Sequence, residues 1–339
     1  LNGAQLYWPL PNAYYVEDYG LDQFAAGRWA LRPVHQNPIG LVIDQGVEDD
    51  LRWRHLQAVD AARATLGLDI RAHIVTDMPL EITLKTTDSG ASWGTLANPG
   101  SLLRATERLM AEAKVRAIAV VARFPEDDES EQLAAYRQGQ GVDPLAGAEA
   151  VISHLVVRTF KIPCAHAPAL SPLPLDPKIS ARSAAEEIGY TFLSCVLAGL
   201  SRAPQFVDRQ FVDRQTKDQA NDRPMQDLDT GFSRDLNYIE ASAVDAVVVP
   251  QTAFGGSAVM SLAQRAAQVI AVRENTTTMA VTPADLGIQA ITVNTYLEAV
   301  GVIAAYKAGV AHSALLPHIP PIPQISSCPP LPDLRSPMS

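Results

Sequence analysis

Val244-Asp-Ala-Val-Val-Val-Pro250, Gln268-Val-Ile-Ala-Val-Arg273 and Ala290-Ile-Thr-Val293 are three short apolar runs, each ending in a burst of polar residues. The first passes into Gln251-Thr252-Ala253-Phe254-Gly255-Gly256-Ser257 and the second into Glu274-Asn275-Thr276-Thr277-Thr278. The third passes into Asn294-Thr295-Tyr296, with Glu298 close behind. Runs of this length, rich in β-branched residues and separated by helical patterns, are read as buried parallel strands. Side by side, they would bring their polar tips to one edge of a sheet, where open parallel sheets receive ligands.

That edge supplies the expected ligand-binding set: Thr252, Gly255, Gly256, Ser257, Asn275, Thr276, Thr277, Asn294 and Glu298. The Gly255-Gly256 turn precedes a helical pattern over 257–268, whose N-terminus favours an anion. Glycines let backbone approach such a ligand closely. The structural alternative is a tight turn with Ser257 as helix cap. Glu274 ends a strand and is the candidate acid or base. The alternative there is a polar loop whose Asn and Thr side chains bond their own backbone. Glu298 equally suits the first turn of the last helix.

Outward from this region the same alternation continues. Ile39–Asp44, Ile70–Thr76 and Val115–Phe124 read as strands, and helices are expected over 50–66 and from Pro99 onward. The first of these puts Leu51, His55, Val59, Ala62 and Leu66 on one stripe. Asp143-Pro144 is expected to open a helix carrying Leu145, Ala148, Ile152, Leu155, Val156 and Thr159 at helical spacing. Ser183 and Glu186 form a capping-box pattern for a helix over 184–200. Asp88–Thr95 reads as a glycine-containing loop. The predicted class is therefore α/β: mostly parallel sheets with flanking helices, Rossmann-like, in two lobes. An aromatic arm (1–38) precedes an α/β lobe (39–200). A charged insert (201–242) carries Phe206-Val-Asp-Arg-Gln210 and its repeat Phe211–Gln215. A Rossmann-like lobe (243–316) and a proline-rich tail (317–339) follow.

Cys164-Ala-His166 follows Pro163 in an extended segment, so thiol and imidazole would share a face. Cys164 and His166 join Glu274 as candidate catalytic groups, either as a Cys/His pair or with His166 acting alone. A buried structural cysteine is the alternative. No spacing of His with carboxylates marks a metal site, and no cofactor is indicated.

The chain of 339 residues carries a formal net charge of -10. That balance disfavours nucleic acid and anionic membrane surfaces as partners. Three cysteines and no leader-like opening predict a cytosolic chain. The longest apolar stretch, 290–310, is interrupted by Asn294, Glu298 and Lys307, so no membrane insertion is expected.

Gly147-Ala-Glu-Ala-Val-Ile-Ser-His154, Ile162–Pro168, Gly255-Gly-Ser257, Glu274-Asn275 and Tyr296-Leu-Glu-Ala299 resemble a cyanobacterial family, domain of unknown function 3326. The resemblance covers roughly 35–316 and implies a cyanobacterial, cytosolic setting without an activity to carry over. Asn275-Thr276-Thr277 is also similar to a run in the nicotinate-nucleotide–dimethylbenzimidazole phosphoribosyltransferases, with Val272-Arg273-Glu274 standing where that family has glycines. The leading expectation is an enzyme binding a small anionic, phosphorylated or nucleotide-like ligand. The alternatives are a phosphoribosyltransferase-like transferase and a non-catalytic assembly factor that docks a protein through the proline-rich tail. A homo-oligomer is compatible with each.

Overall fold

The computed structural model describes residues 10–86, 92–126, 131–140, 143–172, 175–188, 191–208, 238–275, 277 and 279–323. Helix α1 (Asp18–Ala25) and strand β1 (Trp29–Arg32) come first, then β2 (Ile39–Ile43), α2 (Asp49–Leu66) and β3 (Ile70–Val75). The hairpin β4 (Ile82–Thr86) and β5 (Ser92–Leu96) leads to α3 (Pro99–Ala113), β6 (Ala117–Arg123), α4 (Glu131–Arg137), α5 (Ala146–Phe160) and β7 (Cys164–Ala169). Next come α6 (Ala181–Glu186), α7 (Leu193–Ser201) and β8 (Gln205–Asp208). Strand β9 (Ala246–Pro250), α8 (Ser257–Ala263), β10 (Gln268–Val272), β11 (Ile291–Val293) and α9 (Tyr296–Lys307) complete the order.

Four strands form a parallel sheet in the order β3-β2-β6-β7. Its central strands carry no polar side chain before Arg123 at the end of β6, because both faces are covered. Val42, Ile118, Val120 and Cys164 meet Leu102 and Leu109 of α3 and Ile152 and Val156 of α5. Leu41, Ala119, Val121 and Ala165 meet Leu51 and Val59 of α2 and Leu193 and Leu197 of α7. Such near-continuous apolar strands are the mark of a buried parallel sheet. Between the C-terminal ends of β2 and β6, where the strand order reverses, Asp44 is buried. Its carboxylate accepts the backbone N–H of Gly46, Leu80 and Arg123. The place where open sheets receive ligands is thus filled by the protein's own backbone.

A second parallel sheet has the order β11-β10-β9, so the three opening runs lie side by side as expected. The architecture is mixed α/β with parallel sheets of four and three strands and two antiparallel pairs. The Rossmann-like and two-lobed descriptions are narrower than these sheets carry.

Five local expectations differ from the structure. The 1–38 stretch is not an irregular arm over its described part: Phe24, Ala25 and Trp29 of α1 and β1 belong to the main core. Strand β8 lies in the expected insert and pairs with β1, because Phe206 packs on the Trp29 ring at 5.2 Å. Leu31 of the same strand is bridged by Ile239. The rest of the repeat and most of the tail, 324–339, lie outside the described residues, as do Tyr7, Trp8 and Cys328. The expected helix 184–200 is two helices, and Ser180 rather than Ser183 caps the first by accepting the Ser183 N–H. Asp143 does not cap α5, which begins three residues later; its carboxylate accepts the Leu145 N–H in the preceding turn.

The loop expected over 88–95 is strand β5 from Ser92 on, paired with β4. Glycine makes its contact with α5 possible. A Cβ on Gly147 would lie 2.0 Å from the Ser92 carbonyl oxygen, and one on Gly94 would lie 2.4 Å from the Ala148 Cβ. Gly147→Ala should therefore lower the unfolding free energy by about 2 kcal/mol in urea titrations, although alanine favours helices by about 1 kcal/mol. Unchanged or raised stability would show that α5 and β5 are not in this contact.

Candidate acid–base cavity

Strand β7 is an edge strand, and its alternation sends Cys164, His166 and Pro168 to the α5 side. Tyr15 covers part of the free edge by donating its hydroxyl to the Cys164 carbonyl at 3.2 Å. Lys161, in the left-handed region, ends α5 and turns the chain into β7. Helix α5 therefore lies against the strand, with Glu149 and Ser153 one turn apart on the same buried face. They hold the imidazole between them. Ser153 Oγ is hydrogen-bonded to His166 Nδ1, and Glu149 Oε2 lies 3.5 Å from Nε2.

A cavity of about 220 Å³ opens beside this clasp. Asp143, Glu149 and His166 line it together with Tyr15, Tyr136 and Glu186. Tyr136 donates to Glu186 Oε2 at 3.1 Å. Cys195 and Val196 of α7 and Leu145 give it an apolar floor. Ser153 stands behind the imidazole and is itself buried.

Burial and mutual charge set the protonation of this cluster. Burial raises the Asp143 carboxyl to about 7, and the Glu149 charge adds to the rise. Burial acts to lower His166, but the Glu149 carboxylate, with Asp143 and Glu17 behind it, outweighs that and raises it. Burial keeps Tyr15 and Tyr136 protonated as donors and pushes Cys195 up to about 12. Behind α5, Glu17 Oε1 lies 3.2 Å from His154 Nε2, and burial raises Glu17 to about 7.

The expected site residues fall into two places. Cys164 and His166 do share a face of β7. However, Cys164 is fully buried and its thiol is held far above its ordinary value, the reverse of what a nucleophilic thiolate needs. Thr252, Gly255, Gly256, Ser257, Glu274, Asn275, Thr277, Asn294 and Glu298 gather along the C-terminal edge of the second sheet, while Thr276 lies outside the described residues. There they mostly satisfy one another. Thr252 Oγ1 accepts the Thr277 N–H at 2.7 Å, and Glu274 Oε1 accepts the Tyr296 N–H at 2.8 Å. Asn275 donates to the Tyr296 hydroxyl, and Glu298 accepts the Asn294 N–H. Gly256, not Ser257, occupies the cap position of α8. None of these residues lines the His166 cavity.

Asp143, Glu149, Tyr136 and Glu186 were missed as a group. The available signal was Glu149, a carboxylate adjoining the apolar stripe Ala148, Ile152 and Val156, one turn before Ser153. Among the described residues no set of three or more His, Cys, Asp or Glu is placed to hold a metal ion, and no helix is long and apolar enough to cross a membrane.

The cluster has a consequence for stability. Asp143 and Glu17 keep protons up to about 7 in the folded chain, against ordinary values of 3.8 and 4.5. The folded state therefore binds more protons in that window, and stability falls as pH rises through it. His166, also raised, adds stability that is present below 6.5 and lost as pH climbs through its folded value. His55, lowered by burial, opposes this below 6.5, one group against three. Urea unfolding should show the chain more stable at pH 5 than at pH 8 by about 2 kcal/mol or more, with a flatter slope in Glu17→Gln/Asp143→Asn. A profile rising toward pH 8 would contradict these protonation states.

Residues 1–316 match the family described as Protein of unknown function (DUF3326). A protein of Synechococcus sp. (strain ATCC 27144 / PCC 6301 / SAUG 1402/1) named Uncharacterized lipoprotein syc1174_c is 53% identical over 317 residues, which is 94% of this chain and 82% of the relative. No solved structure matches. With the signature spanning both parallel sheets and the acidic cavity, this chain belongs to the DUF3326 family.

Proposed function

We propose that the chain binds a small basic molecule in the cavity between β7, α5 and α7 and moves a proton on it through Asp143 and His166. The observation that carries this is the convergence of three carboxyls, Asp143, Glu149 and Glu186, with one imidazole on a single cavity. Three acidic groups against one basic group favour an amine or guanidine over a phosphate. A group held near 7, as Asp143 is, gives and takes a proton at neutral pH with little driving force lost. Glu149 and Ser153 act as positioning residues that fix the ring of His166. At about 220 Å³ the space suits a molecule below drug size.

This reading departs from the anionic ligand expected at the strand edge, whose side chains are largely engaged with each other. The word lipoprotein in the relative's name supports a membrane-tethered position rather than the expected cytosolic one, and release of the native chain by detergent-free lysis would overturn that reading.

A thermal-shift panel of small amines, guanidines, polyols, carboxylates and inorganic phosphate tests the proposal. Amines or guanidines should raise Tm in the wild type, and Asp143→Asn and Glu149→Gln should abolish the shift. Stabilisation by phosphate alone, lost in Gly256→Asp but kept in Asp143→Asn, would return the site to the second sheet.

A further inference from the structure

The acid–base cavity has aromatic walls as well as acidic ones. Tyr15, Tyr136 and Phe192 line it, and they come from three separate parts of the chain: ahead of α1, in α4 and just before α7. Leu133, Leu145 and Val196 add aliphatic surface. Neither tyrosine has a spare proton to donate. Tyr15 gives its own to the Cys164 carbonyl at 3.2 Å, and Tyr136 gives its own to Glu186 at 3.1 Å. Each hydroxyl has only one, so what these two residues chiefly offer a ligand is aromatic surface.

The acceptors are partly engaged as well. Asp143 Oδ1 accepts the Leu145 N–H, Glu149 Oε2 faces His166 Nε2, and Glu186 Oε2 accepts the Tyr136 hydroxyl. A primary ammonium would bring three N–H donors into this space and a guanidinium five. Each one left without an acceptor is costly once water is excluded. An ammonium with methyl groups in place of protons keeps the charge that the carboxyls attract and asks for fewer acceptors. Its methyl groups share the positive charge, and aromatic surface attracts a cation held against it. The size is suitable. An apolar cavity of about 150 Å³ accommodates benzene, and trimethylammonium is smaller than benzene. The space here is about 220 Å³.

We propose that the cavity selects an N-methylated ammonium, a tertiary amine in its protonated form, with its methyl groups on the walls of Tyr15, Tyr136 and Phe192 and its one N–H toward the carboxyls. This rests on the reading of the cavity as a cation site, and narrows the amines and guanidines to amines that retain a single N–H.

Methylammonium, trimethylammonium, guanidinium and tert-butanol are the probes, followed by ligand-observed NMR titration of the full chain at neutral pH. Trimethylammonium should bind about tenfold tighter than methylammonium or guanidinium, from two more buried methyl groups and their attraction to the rings. The neutral tert-butanol, similar in size, should not bind. Tyr136→Leu and Phe192→Leu should each weaken trimethylammonium about threefold, whereas Tyr136→Phe, which keeps the ring, should preserve its lead. Methylammonium or guanidinium binding as tightly as trimethylammonium, and lost in Asp143→Asn, would overturn the methyl preference while leaving the cation site standing. A lead of trimethylammonium undiminished in both leucine variants would overturn the role of the rings. Equal binding of tert-butanol would mean an apolar hollow indifferent to charge, and no cation binding by the wild type would remove both readings. If the leucine variants fail to fold, the order of the four probes on the wild type decides.

Discussion

The close approach of α5 to the β4–β5 hairpin is the constraint on which the acid–base cavity depends. Gly147 and Gly94 leave no side chain between the two backbones, and Ser92 accepts the Gly147 N–H through its hydroxyl. With the start of the helix pinned there, Glu149 and Ser153 arrive on either side of the His166 ring in β7. A helix lifted away by a methyl group would shift both, and the imidazole would lose its fixed orientation. Precision of this kind is what supporting contacts give to a reactive group.

The two polar gatherings of this protein differ in how their hydrogen bonds are used. Along the second sheet, Glu274, Asn294 and Glu298 face solvent and tie strand tips to the start of α9. Such bonds stitch a sheet edge to its helix. Around His166 the groups are enclosed, so the same kinds of side chain influence one another's protonation more strongly. Enclosure rather than composition separates a candidate site from a well-tied surface.

Much of the fold was legible in local pattern. Strands β2, β3, β6, β9, β10 and β11 and helices α2 and α3 follow from apolar runs and helical spacing, because a buried parallel sheet leaves that imprint. Elements defined by tertiary contact were not legible. Strand β5 contains Gly94, a strand-weakening residue kept because α5 needs the space. Strand β8 exists because Phe206 finds Trp29, some 177 positions earlier in the chain. The cavity was the least legible feature. Asp143 precedes α5, Glu149 lies within it, Tyr136 belongs to α4, Glu186 to α6 and His166 to β7, and no sequence spacing connects them. Of these five, only His166 stands out for chemistry in the sequence. His55 reads in the sequence as one more position on a helical stripe, since periodicity does not register whether its ring is buried among polar neighbours or apolar ones.

Strand β1 has Phe206 opposite Leu31 on one flank and Ile239 bonded to Leu31 on the other. Asp208 pairs with Trp29, and Tyr238 adjoins Ile239 on the far side of β1, so the two lie two strand spacings apart across the sheet and three residues apart along it, roughly 14 Å. Both anchors are held by backbone pairing to β1. Because closure entropy grows only with the logarithm of length, the number of residues between those anchors changes the cost of bringing them together only slightly.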